Sequence, residues 1–170
     1  MIAAVVVAVA VVTAAAPPLI PAADRRPLPS VSVPDLDGKR ARVAELAGGD
    51  VAVVSFWASW CRPCLTELPL LQAVVAAQDG VRGIAVSVDA GSAVGSVRAT
   101  DKRLKLRPAW RVLHDKDGSA LLGRVMPGAA VPVVVVLDRQ GRVAFRHEGF
   151  SPGAQVVVAA VVTALLAEPR

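Results

Sequence analysis

Apolar residues dominate three segments of the chain, and this pattern predicts strands in the centre of a sheet. The segments are 51–57, 81–88 and 133–137, and each is preceded by aspartate, glycine or proline. Such segments are typical of strands that are buried on both faces. Between the first two, apolar residues recur at helical spacing from about 62 to 78. This order predicts a strand–helix–strand unit with parallel strands.

Shorter elements are predicted around this unit. The Asp37-Gly38 pair lies between two alternating segments, 30–34 and 39–43, and predicts a β-hairpin. Further helices are expected at 43–47, 92–104, 119–124 and 152–167, and further strands at 112–115 and 143–148. The complete order predicts an α/β fold with a central mixed β-sheet, helices on both faces and an N-terminal β-hairpin.

The N-terminal segment differs from the rest of the chain. Residues 2–16 are apolar except for one threonine, and several prolines follow them. This run is shorter than the roughly 20 residues that a membrane-spanning helix needs. We therefore expect residues 1–23 to be a signal peptide, with a retained membrane anchor as the alternative. Residues 24–29 are expected to be a linker, and residues 30–168 a single domain.

Composition and charge exclude one class of partner. The 170 residues are 54% hydrophobic and carry a formal net charge of +5. The arginines are scattered, with no long basic block and no interleaved aromatic residues. No nucleic-acid partner is therefore expected. A basic surface of this kind instead favours anionic membrane surfaces or acidic partners.

The only two cysteines, Cys61 and Cys64, lie between the first predicted central strand and the helix that follows it. A zinc site would need two more ligands, and the only histidines, His114 and His147, are far away in sequence. We expect both histidines to be structural or solvated. Two cysteines at this spacing across the first turn of a helix can close a small disulfide. The pair therefore predicts redox chemistry with no metal and no cofactor other than the Cys61–Cys64 disulfide itself.

The two sulfurs are expected to have different roles. Cys61 would lie at the helix N-terminus, where free backbone N–H groups favour a thiolate. Arg62 adds a cation beside it, and Pro63 fits the first helical turn, where its missing N–H costs little. Cys61 is thus the expected nucleophile. Cys64, one turn further on and more buried, is expected to attack the mixed disulfide and release the product.

A wider set of residues around the cysteines gives a family resemblance. The segment WASWCRPC at 57–64 is followed by Glu67 and Pro69, and Val131-Pro132 precedes a predicted strand. This combination resembles the thioredoxin superfamily, and within it the TlpA/ResA-like branch of extracytoplasmic thiol-disulfide oxidoreductases. The likeness covers about residues 30–167 and implies a thioredoxin fold, with a cis peptide bond before Pro132 facing the cysteines.

The resemblance also implies roles for residues near the cysteines. Thioredoxins carry a buried aspartate where this chain has Ser55, and Glu67 is the expected substitute that tunes the cysteine pKa values. The alternative for Glu67 is a solvated charge on the helix surface. Three features are expected to contact the substrate: an exposed aromatic side chain, the two residues between the cysteines, and the backbone beside the cis proline. An extended peptide could add as a strand along that backbone. These residues are Trp60, Arg62, Pro63, Val131 and Pro132.

By this resemblance the chain is an enzyme that exchanges electrons with protein cysteines, acting as a reductant, for example in c-type cytochrome maturation. The implied partners are protein thiols or disulfides and a membrane electron donor or acceptor. The implied state is a monomer in the periplasm or cell envelope. Two alternatives stay open. One is a non-catalytic binding module of the same fold, although a four-residue disulfide constrains the unfolded chain little. The other is copper delivery, for which a wider cysteine spacing and an added histidine are expected.

Overall fold

The computed structural model describes residues 17–169. The expected signal peptide falls largely on residues 2–16, which lie outside the described residues. The strands are β1 Ser32–Pro34, β2 Arg40–Arg42, β3 Val51–Trp57, β4 Val81–Ser87, β5 Trp110–His114, β6 Val133–Leu137 and β7 Val143–Glu148. The helices are α1 Val43–Ala47, α2 Arg62–Ala76, α3 Val94–Leu104, α4 Leu122–Val125 and α5 Ala154–Ala167.

Five strands form a mixed sheet in the order β5-β4-β3-β6-β7. The first three in that order pair in parallel, whereas β6 pairs antiparallel with β3, and β7 pairs antiparallel with β6. Strands β1 and β2 form a separate antiparallel hairpin. Its turn is held by the Asp35 carboxylate, which accepts hydrogen bonds from the backbone N–H groups of Asp37 and Lys39. The predicted mixed sheet and N-terminal hairpin are confirmed.

Hydrophobic residues on the two faces of the sheet form two separate clusters. One face packs against α2 and α5, and its cluster includes both cysteines and Trp57. The other face packs against α1 and α4. Every residue of β3 is buried, which explains why this strand is apolar at every position except Ser55. Helices therefore cover both faces, as predicted.

Several element boundaries differ from the predicted ones because of contacts with distant residues. The strand expected at 112–115 begins at Trp110, which pairs with Gly83 in β4. A side chain at Gly83 would overlap the Trp110 indole. The helix expected at 119–124 begins only at Leu122. The Asp115 carboxylate accepts hydrogen bonds from three successive N–H groups at 120–122, which holds the preceding turn in place.

The segment predicted as a linker packs against the domain. Arg25 and Leu28 are each only 5% exposed. The backbone N–H of Val143 in β7 donates to the Arg26 carbonyl, and the N–H of Leu28 donates to the Gly141 carbonyl. Residues 24–29 are therefore part of the folded unit. Within residues 17–169, no helix combines the length and the apolar character that crossing a bilayer would require.

Candidate active site

A disulfide joins Cys61 and Cys64 at the start of α2. Strand β3 ends at Trp57, and a tight turn follows in which the Cys61 N–H donates to the Ala58 carbonyl at 3.1 Å. Cys61 is the residue that caps α2, and the Cys64 N–H donates to the Cys61 sulfur at 3.3 Å. Such a contact, at the positive end of a helix dipole, favours negative charge on that sulfur after reduction.

Cys64 is more buried than Cys61, as predicted. Cys61 is 4% exposed and Cys64 is 1% exposed. The residues around Cys61 are open: Trp60 is 69% exposed, and Arg62 and Pro63 are also exposed. An incoming protein would therefore reach Cys61 before Cys64.

The loop before β6 lies against the disulfide. The peptide bond between Val131 and Pro132 is cis, as the resemblance implied. The Val131 carbonyl oxygen lies 3.8 Å from the Cys61 sulfur. Pro132 is buried and Val131 is partly exposed. The structure thus brings together residues that are separated by 70 positions in the chain.

Glu67 is a buried carboxyl group one turn after Cys64 on α2. Its residue is only 2% exposed, and its Oε2 atom has no hydrogen-bond partner among residues 17–169. Burial raises the pKa of Glu67 to about 7. Glu67 is therefore not the solvated surface charge that was the alternative interpretation. Its pKa lies in the range where a carboxyl can both accept and donate protons near neutral pH.

Asp89 is a buried residue of the site that the sequence analysis did not identify. Its carboxylate accepts hydrogen bonds from the Ser59 N–H at 2.9 Å and the Ser59 hydroxyl at 2.5 Å. It also accepts one from the Ser87 hydroxyl at 2.8 Å. These bonds hold the turn before Cys61. The available signal was its position in the chain. Asp89 follows β4, and the carboxyl ends of the adjacent parallel strands β3 and β4 lie at the same edge of the sheet.

Among residues 17–169 the histidines form no metal cluster, and one of them supports the turn before Cys61. His114 Nε2 lies 2.8 Å from the Asp89 carbonyl oxygen, so this histidine supports the same turn. Within the part of the chain that the structure describes, no cluster of three or more histidine, cysteine or acidic residues could hold a metal ion. A groove of about 770 Å³ lies along β5, but neither cysteine lines it.

Replacing Glu67 by Gln is expected to remove a pH dependence of stability. A glutamate has an ordinary pKa of 4.5, against about 7 for buried Glu67. Between these values the folded state binds more protons than the unfolded state, so the wild-type free energy of unfolding falls as pH rises. The raised pKa lowers the wild-type free energy of unfolding by about 3 kcal/mol, and this loss is complete above about pH 7. Glutamine lacks this ionisation, so E67Q gains stability relative to wild type by about that amount between pH 4.5 and pH 8.

Urea unfolding of the oxidised proteins across this pH range measures the difference. The matched control is Glu45→Gln, because Glu45 is an exposed glutamate on α1 paired with Arg42. The control should follow the wild-type pH dependence to within about 0.5 kcal/mol. If the free energies of unfolding of wild type and E67Q changed with pH in parallel, the Glu67 pKa would be ordinary and the prediction would be wrong.

Comparisons with known proteins agree with the fold and with the cysteine motif. The model of the AhpC/TSA family matches residues 25–146. The thiol-disulfide oxidoreductase ResA of Bacillus cereus is 31% identical over 117 residues, which cover 68% of this chain and 64% of ResA. The thiol:disulfide interchange protein DsbE homolog of Paracoccus denitrificans is 31% identical over 134 residues, which cover 73% of this chain and 65% of that protein. The chain thus spans slightly less than two thirds of these relatives.

Solved structures show the same architecture. A proposed thiol:disulfide interchange protein DsbE from Chlorobium tepidum has a TM-score of 0.71 and 26% identity, over 84% of this chain and 96% of that chain. A thioredoxin-like protein from Porphyromonas gingivalis has a TM-score of 0.69 and 31% identity, over 84% and 94%. The thioredoxin fold and the resemblance to ResA-like proteins are confirmed.

Proposed function

Since the chain belongs to the AhpC/TSA family of thioredoxin-fold proteins, we propose that it is a thiol-disulfide oxidoreductase acting on cysteines of other proteins. The main support is the Cys61–Cys64 disulfide at the start of α2, with the Cys64 N–H directed at the Cys61 sulfur. Relatives with matching sequence carry the names thiol-disulfide oxidoreductase and thiol:disulfide interchange protein. The exposed Trp60 and the Val131 carbonyl beside Cys61 give a partner protein two surfaces to contact.

In the proposed reaction the reduced protein transfers two electrons to a disulfide of its partner. The Cys61 thiolate attacks one partner sulfur, and the partner's other sulfur leaves as a thiolate and takes up a proton. Cys64 loses its thiol proton and attacks Cys61 in the mixed disulfide, which releases the second partner thiolate. The products are the Cys61–Cys64 disulfide and a partner dithiol. The residues expected to contact the partner are Trp60, Arg62, Pro63, Val131 and Pro132.

We propose that the physiological direction is reduction. The positive end of α2 stabilises the Cys61 thiolate and favours the dithiol form. Glu67, when ionised one turn after Cys64, opposes a second negative charge and favours the disulfide. If the second effect prevails, the pair is a reductant. The resemblance to ResA-like proteins supports this direction, with maturation of c-type cytochromes as one process that needs such a reductant.

The midpoint potential of the cysteine pair tests the direction of electron flow. We expect a value near that of thioredoxin, about −270 mV, after equilibration with dithiothreitol redox buffers. A value near about −120 mV would instead indicate an oxidant that forms disulfides. A pair that dithiothreitol cannot reduce would contradict the enzyme proposal and favour the non-catalytic binding module.

The proposed place of action is outside the cytoplasm, in the periplasm or cell envelope. The apolar segment at 2–16 supports export or anchoring. Disulfide exchange with secreted proteins also occurs in such compartments. A membrane protein that supplies or accepts electrons is the expected second partner, and the enzyme is proposed to act as a monomer.

A further inference from the structure

A small cavity lies beneath Glu67, between the sheet and helices α2 and α5. Its volume is about 140 Å³, and its walls include Val134 of β6, His147 of β7 and Val158 of α5. Among the described residues that line it, only Glu67 and His147 are titratable. Ser151 lines the same cavity and is exposed, so the cavity reaches the protein surface there.

Two buried polar atoms at this cavity lack protein partners. They are Glu67 Oε2 and His147 Nε2, neither of which makes a hydrogen bond to any residue from 17 to 169. Buried polar atoms of this kind are usually satisfied by ordered water. A cavity needs polar walls and about 30 Å³ of space for each liquid-like water molecule. This one has room for several water molecules, and its largely apolar wall carries polar groups at Glu67, His147 and Ser151.

The register of the sheet explains why His147 faces this cavity. Val134 is the residue opposite His147 in the β6–β7 pair and opposite Ser55 in the β3–β6 pair. Residues at paired positions point to the same face of a sheet. Ser55, Val134 and His147 therefore form a row across the sheet on the face that α2 covers. Glu67 projects from α2 over this row, and it also lines the cavity.

We propose that His147, together with water in this cavity, carries protons between Glu67 and solvent while Cys64 is deprotonated and reprotonated. This proposal rests on the proposed thiol-disulfide exchange and deepens it. His147 contacts neither cysteine nor partner protein in this scheme. It is a proton-transfer residue that acts through Glu67.

The proton balance of the resolving step requires that Glu67 be ionised when Cys64 attacks. When Cys64 attacks the mixed disulfide, a bond forms between its sulfur and Cys61, and the bond from Cys61 to the partner breaks. The Cys64 thiol proton passes to the Glu67 carboxylate, which lies one helical turn away. Near neutral pH part of the Glu67 population is protonated, and in those molecules the Glu67 proton must leave to solvent before the carboxylate can accept the one from Cys64. The cavity offers a path from Glu67 to His147 and then past Ser151 to solvent.

A single-turnover measurement on His147→Gln tests the proposal. Glutamine retains hydrogen-bonding groups but cannot carry a proton as imidazole does. The mixed disulfide is prepared on Cys61 with a chromogenic aromatic thiol, and release of that thiol by Cys64 is followed by absorbance over a range of pH. We expect release by H147Q to be about tenfold slower near pH 7. Added imidazole should restore part of the rate.

A second readout follows the Glu67 carboxyl group directly, without catalysis. The pKa of Glu67 in the oxidised protein is measured from its side-chain carboxyl carbon signal by NMR. We expect H147Q to raise this pKa above its wild-type value, because glutamine cannot supply the positive charge that a protonated imidazole places near the carboxylate. The control variant is Arg146→Gln, which removes an exposed cation from the adjacent position of β7. It should leave both readouts unchanged.

The possible results separate the two proposals. Release rates for H147Q within about twofold of wild type at every pH would overturn the role of His147. A slower rate that imidazole does not restore, with an unchanged Glu67 pKa, would also overturn it and leave His147 a structural residue. Failure of the wild-type protein to release the bound thiol would instead reject the proposed function.

Discussion

Cys61→Ser is expected to abolish insulin reduction, with a loss of about 10³-fold or more. In the proposed mechanism the Cys61 sulfur forms the bond to the partner, and a serine hydroxyl cannot take part in disulfide exchange. The measurement is the rate of insulin reduction with dithiothreitol as the electron source, corrected for the rate with dithiothreitol alone. If the protein were only a binding module, the substitution would leave its function intact.

Cys64→Ser is the matched control for this substitution. Both variants lose the same disulfide, whose four-residue loop is worth about 2 kcal/mol of stability at most in the chain-entropy account. The two variants should therefore be equally stable, yet they should fail differently. C64S retains the attacking sulfur and should accumulate as a mixed disulfide with its substrate, whereas C61S should not. Retention of more than about a tenth of the activity by C61S would contradict the assignment of Cys61.

The centre of the fold could be predicted from sequence because its signal is local. Strand β3 occupies Val51–Trp57, the segment predicted from apolar residues alone. When both faces of a strand are buried, nearly every side chain must be apolar, so the pattern does not depend on a particular neighbour. The cysteine pair is similarly local, because its helix begins at the residue after Cys61.

Other features could not be predicted because they depend on pairing between distant segments. Asp89 has no motif of its own, and only the alignment of β3 with β4 brings it beneath Ser59. His147 was expected to be structural or solvated. Its position at the cavity follows from the register of β7 on β6, which a single sequence does not specify. The available indication was their spacing. Phe145 and His147 are two residues apart in β7 and therefore point to the same face of the sheet, where both line the cavity.

The N-terminal boundary of the domain was misjudged for a related reason. Residues 24–29 are polar and proline-rich, which is typical of a linker. The Arg25 guanidinium nevertheless bonds to Glu168 at 2.6 and 2.7 Å and to Asp138 at 3.3 Å. These partners lie 143 and 113 residues away in the chain. A charged residue in a polar segment gives no sign that it will be buried when its partners are so distant.

Arg25→Ala is expected to destabilise the protein by about 3 kcal/mol, the lower end of the range for breaking a buried ion pair. The Arg25 side chain is only 2% exposed, and that of Asp138 is 3% exposed. The lower value applies because Asp138 keeps a second cation, Arg142, at 2.8 Å. Arg25 also holds the pKa of Glu168 below its ordinary value through their hydrogen bonds. That contribution is present at neutral pH and is lost as pH falls through the lowered pKa.

Urea unfolding at neutral pH measures this effect, and thermal unfolding should show a midpoint lower by about 10 °C. The matched control is Arg82→Ala, which breaks the pair with Asp50 on the surface, where the Arg82 side chain is 62% exposed. That variant should lose no more than about 1 kcal/mol. Equal stabilities for R25A and R82A would contradict the packing of residues 24–29 and restore the linker interpretation. A large loss in R25A alone follows if the folded domain includes this segment, because its arginine then joins the turn after β6 to the end of α5.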